Sequence, residues 1–263
     1  MSTPDLHGKR AFVGGASRGI GQAIAEALAD RGVSVTLLSR DQRRLEEVRD
    51  GLHGGEPGQT HRAVPVDYTD WRATAGIARR EIVDHGPVHI VIHNTGGPPG
   101  GPAIDAEPEA FDDAFNMHLL TGQALVQSAV PGMRAEGYGR VINVISTSVI
   151  TPIRGLGVSN TIRGAVANWG RTLAVELAPD GITVNNLLPG FTETDRLQSI
   201  FENKAKKQDT TPEAVAEATR ASVPARRFAK PREIAAVAAF LCSPDAAYVN
   251  GVNLPVDGGR LVG

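Results

Sequence analysis

The chain has 263 residues, of which 41% are hydrophobic and 21% charged, and its formal net charge is −2 at pH 7. This composition is typical of a soluble globular protein and excludes a disordered chain, a coiled coil and a disulfide scaffold. It also leaves no electrostatic footprint for nucleic acid or an anionic membrane, and no apolar run approaches a membrane span. The single cysteine, Cys242, and charged first residues without the apolar core of a signal peptide predict a cytoplasmic protein.

Short apolar strands and amphipathic helices alternate along the chain. In chain order, the pattern predicts strand Arg10–Gly14, helix Gly21–Arg31, strand Ser34–Ser39, helix Gln42–Leu52, strand His61–Val66, helix Asp70–His85, strand Val88–His93, helix Pro108–Glu136, strand Arg140–Ser146, helix Gly157–Leu177 and strand Ile182–Leu188. The strands are apolar almost throughout, as in a parallel sheet that helices cover on both faces. Because no composition break or repeat divides the chain, we predict one doubly wound, Rossmann-type α/β domain over residues 1–263.

Two segments do not fit this alternation. Gly96–Pro102 is too rich in glycine and proline for a helix or a central strand. It follows a strand, so we expect it at the carboxyl edge of the sheet, where such folds bind ligands. Thr194–Val223 is polar and helix-prone, and it interrupts the sheet after Pro189-Gly190. We interpret this second segment as a lid over the site.

The first predicted strand runs into a glycine-rich turn that precedes a helix. Glycine permits a sharp turn and lets a phosphate approach the helix N-terminus, where the helix dipole favours an anion. A strand, this turn and a helix together indicate a dinucleotide site, the alternative being a tight turn without a ligand. The residues predicted to bind the cofactor here are Gly15, Ser17, Arg18, Gly19, Ile20 and Gly21.

The end of the second predicted strand indicates which dinucleotide binds. A free ribose diol is held by a carboxylate at this position, but the strand ends at Ser39-Arg40. Arg40 and Arg18 suit a 2′-phosphate, so we predict NADP(H) in preference to NAD(H). For each arginine the alternative is a solvated surface charge. Asp67, after the third strand, either contacts the adenine amine or is an acid at the N-terminus of the next helix.

Several motifs, in this order, resemble those of the short-chain dehydrogenase/reductase family over nearly the whole chain. They are Gly15-x3-Gly19-x-Gly21, Asn94-Thr95-Gly96-Gly97, Val184-Asn185, Pro189-Gly190 and the C-terminal Val249–Gly259. His93 and Thr95 depart from the family's pattern after the fourth strand. The resemblance implies that the cofactor site also includes Asn94, Gly96, Pro189, Gly190 and Thr192, the last at the nicotinamide amide.

The resemblance also implies a catalytic set, and here the sequence departs from the family. The family uses a serine to orient the substrate oxygen, a tyrosine to donate or accept the proton, a lysine to lower the tyrosine pKa and hold the ribose, and an asparagine to place a water. The corresponding positions are Ser146, Ser159, Arg163 and His118. No tyrosine lies between Tyr138 and Tyr248, so a small misalignment does not restore the motif.

These residues change the chemistry expected of the site. A serine hydroxyl is a much weaker acid than a tyrosine, whereas arginine keeps its charge without releasing a proton and can still hold ribose hydroxyls. Histidine titrates near neutrality, so we predict that His118 supplies the proton, with a pKa near about 6.5. The alternatives are a neutral His118 without a role, and a Ser159 that caps a backbone amide at the helix N-terminus.

The sequence leaves three functions open. The leading prediction is an NADP(H)-dependent oxidoreductase acting on a small-molecule carbonyl/alcohol pair, similar to a 3-oxoacyl reductase, with an altered catalytic set. The alternatives are a cofactor-binding protein without redox turnover and a lyase or dehydratase that uses the same pocket. No cysteine and histidine spacing predicts a metal site. Since the family pairs its two long helices across a two-fold axis, the resemblance implies a homo-oligomer, a tetramer or else a dimer.

Overall fold

Seven parallel strands form one sheet in the computed structural model, which describes residues 5–263. In chain order the strands are β1 (Arg10–Gly14), β2 (Ser34–Ser39), β3 (Arg62–Pro65), β4 (Ile90–His93), β5 (Gly139–Val144), β6 (Ile182–Pro189) and β7 (Asn253–Val256). The α-helices are α1 (Gly19–Ala29), α2 (Gln42–Gly51), α3 (Trp71–His85), α4 (Pro108–Phe115), α5 (Thr121–Glu136), α6 (Gly157–Leu177), α7 (Asp195–Gln208), α8 (Pro212–Ala221) and α9 (Pro231–Cys242). The predicted doubly wound sheet is confirmed.

The order of the strands across the sheet is β3-β2-β1-β4-β5-β6-β7. The chain builds outward from β1 to β3 and then returns to the other side of β1, where residues 11–13 pair with residues 90–92 of β4. In open parallel sheets, ligands bind in the crevice at the carboxyl ends of the strands at such a reversal. The glycine turn after β1 and the loop after β4 both lie at this crevice.

Apolar side chains cover both faces of the sheet. On one face, α1 and α9 pack on the strands through buried residues such as Ile24, Leu28 and Leu241. On the other face, α5 packs through Leu125 and Met133, together with side chains of α3 and α6. Strands that are buried on both sides account for the nearly continuous apolar runs in the sequence.

The sequence analysis assigns no element to residues 231–242, but these residues form α9. Pro231 occupies the first turn, and the Glu233 carboxylate accepts a hydrogen bond from the Lys230 backbone N–H at 2.8 Å. The helix packs against α1 through Ile234 and Ala238, both fully buried. Its run of alanines gives little contrast between an apolar and a polar face, so the periodicity is weak. The start signal from proline and glutamate is the local cue that identifies it.

The helix predicted as continuous over Pro108–Glu136 is interrupted. A π-helical turn, Asn116–Leu120, separates α4 from α5. Such a turn has one residue more than an α-helical turn and therefore rotates the side chains that follow it around the axis. His118 lies in the middle of this turn and is buried. The departure from the predicted helix thus coincides with a predicted site residue.

Residues 194–223 form α7 and α8, which share a small apolar core with neighbouring residues. Leu197 and Phe201 of α7 and Val215 of α8 pack with Phe228, apart from the two clusters on the sheet. The Thr194 hydroxyl accepts a hydrogen bond from the Leu197 backbone N–H and starts α7. This segment, residues 194–223, is called the helical flap below.

Candidate active site

The glycine turn after β1 brings backbone atoms together so closely that side chains are excluded. Gly15 and Gly19 have φ angles of +57° and +60°, which residues with a Cβ rarely adopt. A Cβ at Gly15 would lie 2.6 Å from the Asn94 side-chain nitrogen, and one at Gly21 would collide with the Gly15 carbonyl oxygen. Glycine at these positions therefore keeps the turn tight and its outer surface free of side chains.

The N-terminus of α1 is open. Arg18 is the N-cap residue, but its side chain makes no capping hydrogen bond. The first N–H groups of a helix have no partner within the helix, and the helix dipole adds a partial positive charge there. The Asn94 side chain donates to the Gly14 carbonyl at 3.0 Å and joins the ends of β1 and β4 beside this turn. The result is a site with the character of an anion-binding helix terminus.

Polar side chains surround the end of β2. The Ser17 and Ser39 hydroxyls are hydrogen-bonded at 3.1 Å. Arg40 is exposed and has no ion-pair or hydrogen-bond partner within residues 5–263. The neighbouring Asp41 carboxylate caps α2 by accepting from the Arg44 backbone N–H at 3.2 Å. A free guanidinium, rather than a free carboxylate, therefore marks this strand end.

Two predicted cofactor residues have other contacts in this structure. The Arg18 guanidinium, predicted to bind the same phosphate as Arg40, forms an ion pair at 3.4 Å with Asp195 at the start of the helical flap. Asp67 accepts hydrogen bonds from the Thr69 backbone N–H at 3.0 Å and from the Thr69 hydroxyl at 2.9 Å. These bonds, and to a smaller extent the charge of Arg40, lower the Asp67 pKa. The Asp67 carboxylate thus stabilises the turn before α3.

The predicted residues after β6 also differ in what they contact. A Cβ at Gly190 would lie 2.7 Å from the Asp257 Cα, so glycine is needed there for packing beside β7. Thr192 is buried, and its hydroxyl donates to the Gly190 carbonyl at 3.2 Å. Gly96 has open space around it.

Arg163 connects the parts of the predicted catalytic set. Its Nε donates to the Ser159 hydroxyl at 3.2 Å, one helical turn earlier on α6. Its Nη1 donates to the carbonyls of Ile145 at 3.0 Å and Val144 at 3.3 Å, immediately before Ser146. The residue is buried, and burial, with a smaller contribution from the charge of Arg196, lowers its pKa to about 10. Arg163 remains a cation at neutral pH.

Arg196, on α7, is a further residue of this site, and the sequence analysis does not identify it. Its Nη1 donates to the Gly97 carbonyl at 3.3 Å, which brings a second guanidinium to the loop after β4. The only feature of the sequence that pointed to Arg196 was its position in the predicted lid, two residues after Thr194. An exposed arginine in a polar helix does not differ, by pattern alone, from a solvated one.

His118 does not have the pKa predicted from the sequence. Burial, and next the charge of Arg163, lower the His118 pKa to about 2, so the prediction of titration near about 6.5 is wrong. His118 belongs to the π-helical turn and is buried, and its Nε2 has no hydrogen-bond partner within the described chain. The neighbouring His93 donates a hydrogen bond from Nε2 to the His118 carbonyl at 2.5 Å, and burial lowers the His93 pKa to about 4. Both rings are neutral at physiological pH.

Comparison with known proteins agrees with this geometry. Residues 15–260 match the family model described as enoyl-(acyl carrier protein) reductase. The NADPH-dependent reductase BacG of Bacillus subtilis is 31% identical over 261 residues, covering 96% of this chain and 98% of BacG. The 3-oxoacyl-[acyl-carrier-protein] reductase FabG of Vibrio cholerae is 33% identical over 257 residues, covering 97% of this chain and 98% of FabG. The chain belongs to the short-chain dehydrogenase/reductase family.

A solved structure of the same fold supports this assignment. L-Sorbose reductase from Gluconobacter frateurii, in complex with NADPH and L-sorbose, superposes with a TM-score of 0.91 at 28% identity, and all of each chain is covered. In this short-chain dehydrogenase/reductase, the residues predicted as catalytic lie near one another. Arg163 donates hydrogen bonds to the Ser159 hydroxyl and to the carbonyl of Ile145, the residue before Ser146. The charge of Arg163 also lowers the pKa of His118. Within residues 5–263, no group of acidic, histidine and cysteine side chains could hold a metal ion, and no helix is long and apolar enough to cross a membrane.

Proposed function

We propose that the chain is an NADP(H)-dependent oxidoreductase that interconverts a small-molecule carbonyl compound and its alcohol, as a 3-oxoacyl reductase does. The observation that carries this proposal is the pairing of an open α1 N-terminus with the unpartnered Arg40 at the end of β2. Together they suit a dinucleotide that carries a diphosphate and a 2′-phosphate. The relatives named for NADPH, BacG and L-sorbose reductase, support the same cofactor.

The glycine turn fits the diphosphate of this cofactor. A side chain at Gly15 or Gly21 would collide with backbone or with Asn94, so glycine is needed for the tight path of this turn. The N–H groups at Gly19 and Ile20 would bind the diphosphate, and Arg40 would bind the 2′-phosphate. We expect Gly96, Pro189, Gly190 and Thr192 to lie toward the nicotinamide, as the family resemblance implies. When bound, the cofactor supplies or accepts the hydride.

The residues around Arg163 would orient the substrate oxygen and stabilise its developing negative charge. Ser146 and Ser159 offer hydroxyl donors, and Arg163 offers a buried positive charge beside them. Preorganised donors and charges in a site that excludes water are the largest contributions to catalysis of this kind. Ser159, Arg163 and His118 would thus form an altered catalytic set that stabilises the alkoxide electrostatically, and a water molecule would supply the proton that the tyrosine donates in other members of the family.

The helical flap would act as the lid of this site. Its first turn touches the glycine turn at two points: Arg18 pairs with Asp195 at 3.4 Å, and the Thr194 side chain lies 3.1 Å from the position of a Cβ at Gly19. The flap packs against Phe191 and Phe228 rather than into the two clusters on the sheet, and we propose that it moves about this contact. Closure over the cofactor would exclude water from the reacting atoms.

One observation favours a second function, a cofactor-binding protein without redox turnover. The described site contains no group that titrates near neutrality, because the pKa values of His118 and His93 lie at about 2 and about 4. General acid catalysis supplies a factor of about 10²–10⁴, and a protein that has lost it can retain only binding.

Turnover with isotopically labelled cofactor separates the two functions. NADPH carrying deuterium at the nicotinamide C4 is incubated with the protein and a panel of ketones and oxo acids. Loss of NADPH absorbance together with deuterium in an alcohol product supports the oxidoreductase. If the parent protein gives neither, Ser159→Tyr with Arg163→Lys is the complementary test. Ketone reduction by that double variant alone would show that the fold is competent and that redox turnover was lost at these positions.

We also propose that the protein is a homo-oligomer, a tetramer or else a dimer, with α5 and α6 forming one two-fold interface. On α6, Val166 is buried within the subunit, whereas Trp169 and Leu173 are only partly buried and Val175 is exposed. The apolar surface of α6 that is available for pairing is therefore smaller than the sequence pattern predicted. Light scattering that gives the mass of one chain would contradict the proposal.

A further inference from the structure

Two guanidinium groups converge on Gly97, in the loop after β4. A Cβ at this position would collide with Nη2 of Arg196 and would lie 3.5 Å from Nη2 of Arg163. The two arginines come from different parts of the fold, α6 and the helical flap. Glycine at position 97 therefore allows the Arg196 guanidinium to approach the loop backbone on the side where Nη2 of Arg163 also lies.

Neither guanidinium has an acidic partner within residues 5–263. Arg163 bonds only to a serine hydroxyl and two carbonyls, and its Nη2 makes no hydrogen bond. Arg196 bonds to the Gly97 carbonyl, while the adjacent Asp195 pairs with Arg18. Burial lowers the pKa of Arg163, and the charge of Arg196 lowers it further. Two nearby cations without an anion raise the free energy of the closed site.

We propose that Arg163 and Arg196 form an anion-binding subsite that holds the carboxylate of an oxo-acid or hydroxy-acid substrate. A carboxylate accepts paired N–H donors from guanidinium groups and offsets their mutual repulsion. The subsite is next to Ser159 and Ser146, which are proposed to hold the reacting oxygen. One small molecule can therefore place its carboxylate in the subsite and its reacting carbon beside the two serines. The placing of the reacting oxygen in this proposal rests on the proposed function, whereas the binding of the anion does not depend on it.

Because Arg196 lies on the helical flap, binding of an anion at the subsite is coupled to the position of the flap. An anion between Arg163 and Arg196 joins the flap to α6, whereas without an anion the like charges push them apart. Binding of the substrate carboxylate therefore favours the closed flap. A carboxylate-free analogue of the same size has no such effect, because it interacts equally with both positions of the flap.

A diphosphate from the cofactor is the other source of an anion near the helical flap. The α1 N-terminus, close to Thr194, is already suited to that diphosphate. Variants of Arg196 distinguish the two sources, because its side chain is exposed and replacing it does not disturb a core. The matched control is Arg171→Gln, which removes an exposed arginine of α6 that makes no hydrogen bond within the described residues.

The test is calorimetric titration of the NADP⁺-saturated protein with pyruvate, since the oxidised cofactor cannot reduce this probe. We expect pyruvate to bind, methyl pyruvate to bind about tenfold or more weakly, and Arg196→Gln to weaken pyruvate by about tenfold or more, in line with one charge-assisted hydrogen bond. The same variant should change the NADP⁺ dissociation constant by less than about threefold. Arg196→Lys should restore part of the pyruvate affinity, and Arg171→Gln should match the parent.

Several outcomes would overturn the proposal. They are equal binding of pyruvate and methyl pyruvate, pyruvate affinity that is unchanged in Arg196→Gln, and absence of pyruvate binding to the parent. An Arg196→Gln variant that loses NADP⁺ affinity instead would assign the arginine to the cofactor diphosphate. If NADP⁺ does not bind to the parent, the proposed function fails, and titration of the cofactor-free protein with pyruvate decides the subsite by itself.

Discussion

His118 illustrates how strongly its surroundings determine the chemistry of a single residue. An isolated imidazole titrates near about 6.5 and is a natural proton donor at neutral pH. Here the ring is buried and lies near the charge of Arg163, so the protonated form is disfavoured both by desolvation and by charge repulsion. The residue type predicted a proton relay, and the fold opposes it.

The protonation state of His118 can be observed directly. We expect the NMR chemical shift of its ring Cε1 proton to remain constant from about pH 8 to about pH 5, because its pKa of about 2 lies below this range. The signal is assigned by its loss in the His118→Gln variant. A titration with a midpoint near about 6.5 would contradict the structure and restore the residue as a candidate proton donor.

At the scale of an element, the turn from β1 to α1 depends on the lack of side chains. Gly21→Ala places a Cβ against the carbonyl oxygens of Gly15 and Gly14, and both are backbone atoms that cannot move aside alone. We expect the variant to lose about 1–3 kcal/mol in free energy of unfolding, as for other overpacked sites, and to lose dinucleotide affinity. Urea denaturation and cofactor titration measure the two effects.

The matched control for this change is Gly76→Ala in α3. A Cβ at Gly76 has no heavy atom within 4 Å. Alanine has the higher helix propensity by about 1 kcal/mol, so this variant should be as stable as the parent or slightly more stable. Equal effects of the two substitutions would show that the tightness of the turn is not what requires glycine at position 21.

Elements whose sequence pattern is local and strong are predicted correctly. The boundaries of β1, β2 and α6 agree with the structure, because apolar runs of the expected period mark these elements. Helix α9 is not predicted, because its alanines give little contrast between an apolar and a polar face. The π-helical turn is not predicted either, because residue spacing carries no signal for it. Arg196 is missed for a different reason: its role depends on where the helical flap lies on the sheet, and this is a property of the tertiary structure.

For the whole molecule, buried neutral histidines predict loss of stability in acid. The pKa values of His93 and His118 are lowered to about 4 and about 2, whereas in the unfolded chain both lie near about 6.5. As the pH falls below about 6.5, the unfolded chain gains protons that the folded chain does not, and the free energy of unfolding decreases. Burial lowers the pKa of His61 and His89 as well, and these residues act in the same direction.

Each of the two deeply shifted histidines should contribute about 1.4 kcal/mol per pH unit between about pH 6 and about pH 5. Urea denaturation at these two pH values measures the difference. The His118→Gln variant should show a smaller pH dependence than the parent by about that amount. Unfolding free energies that are equal at the two pH values would mean that the rings are hydrated or partnered in solution.

The central claim, that the crevice at β1 and β4 binds a phosphorylated dinucleotide, is tested most directly by titrating the protein with NADPH and NADH. One charge-assisted hydrogen bond from Arg40 contributes about 1.5–3 kcal/mol, so the parent should bind NADPH at least about tenfold more tightly than NADH. Arg40→Asp should reverse this preference, because the carboxylate repels the 2′-phosphate and accepts the ribose hydroxyls. Equal affinities for the two cofactors in the parent, or no binding of either, would contradict the account.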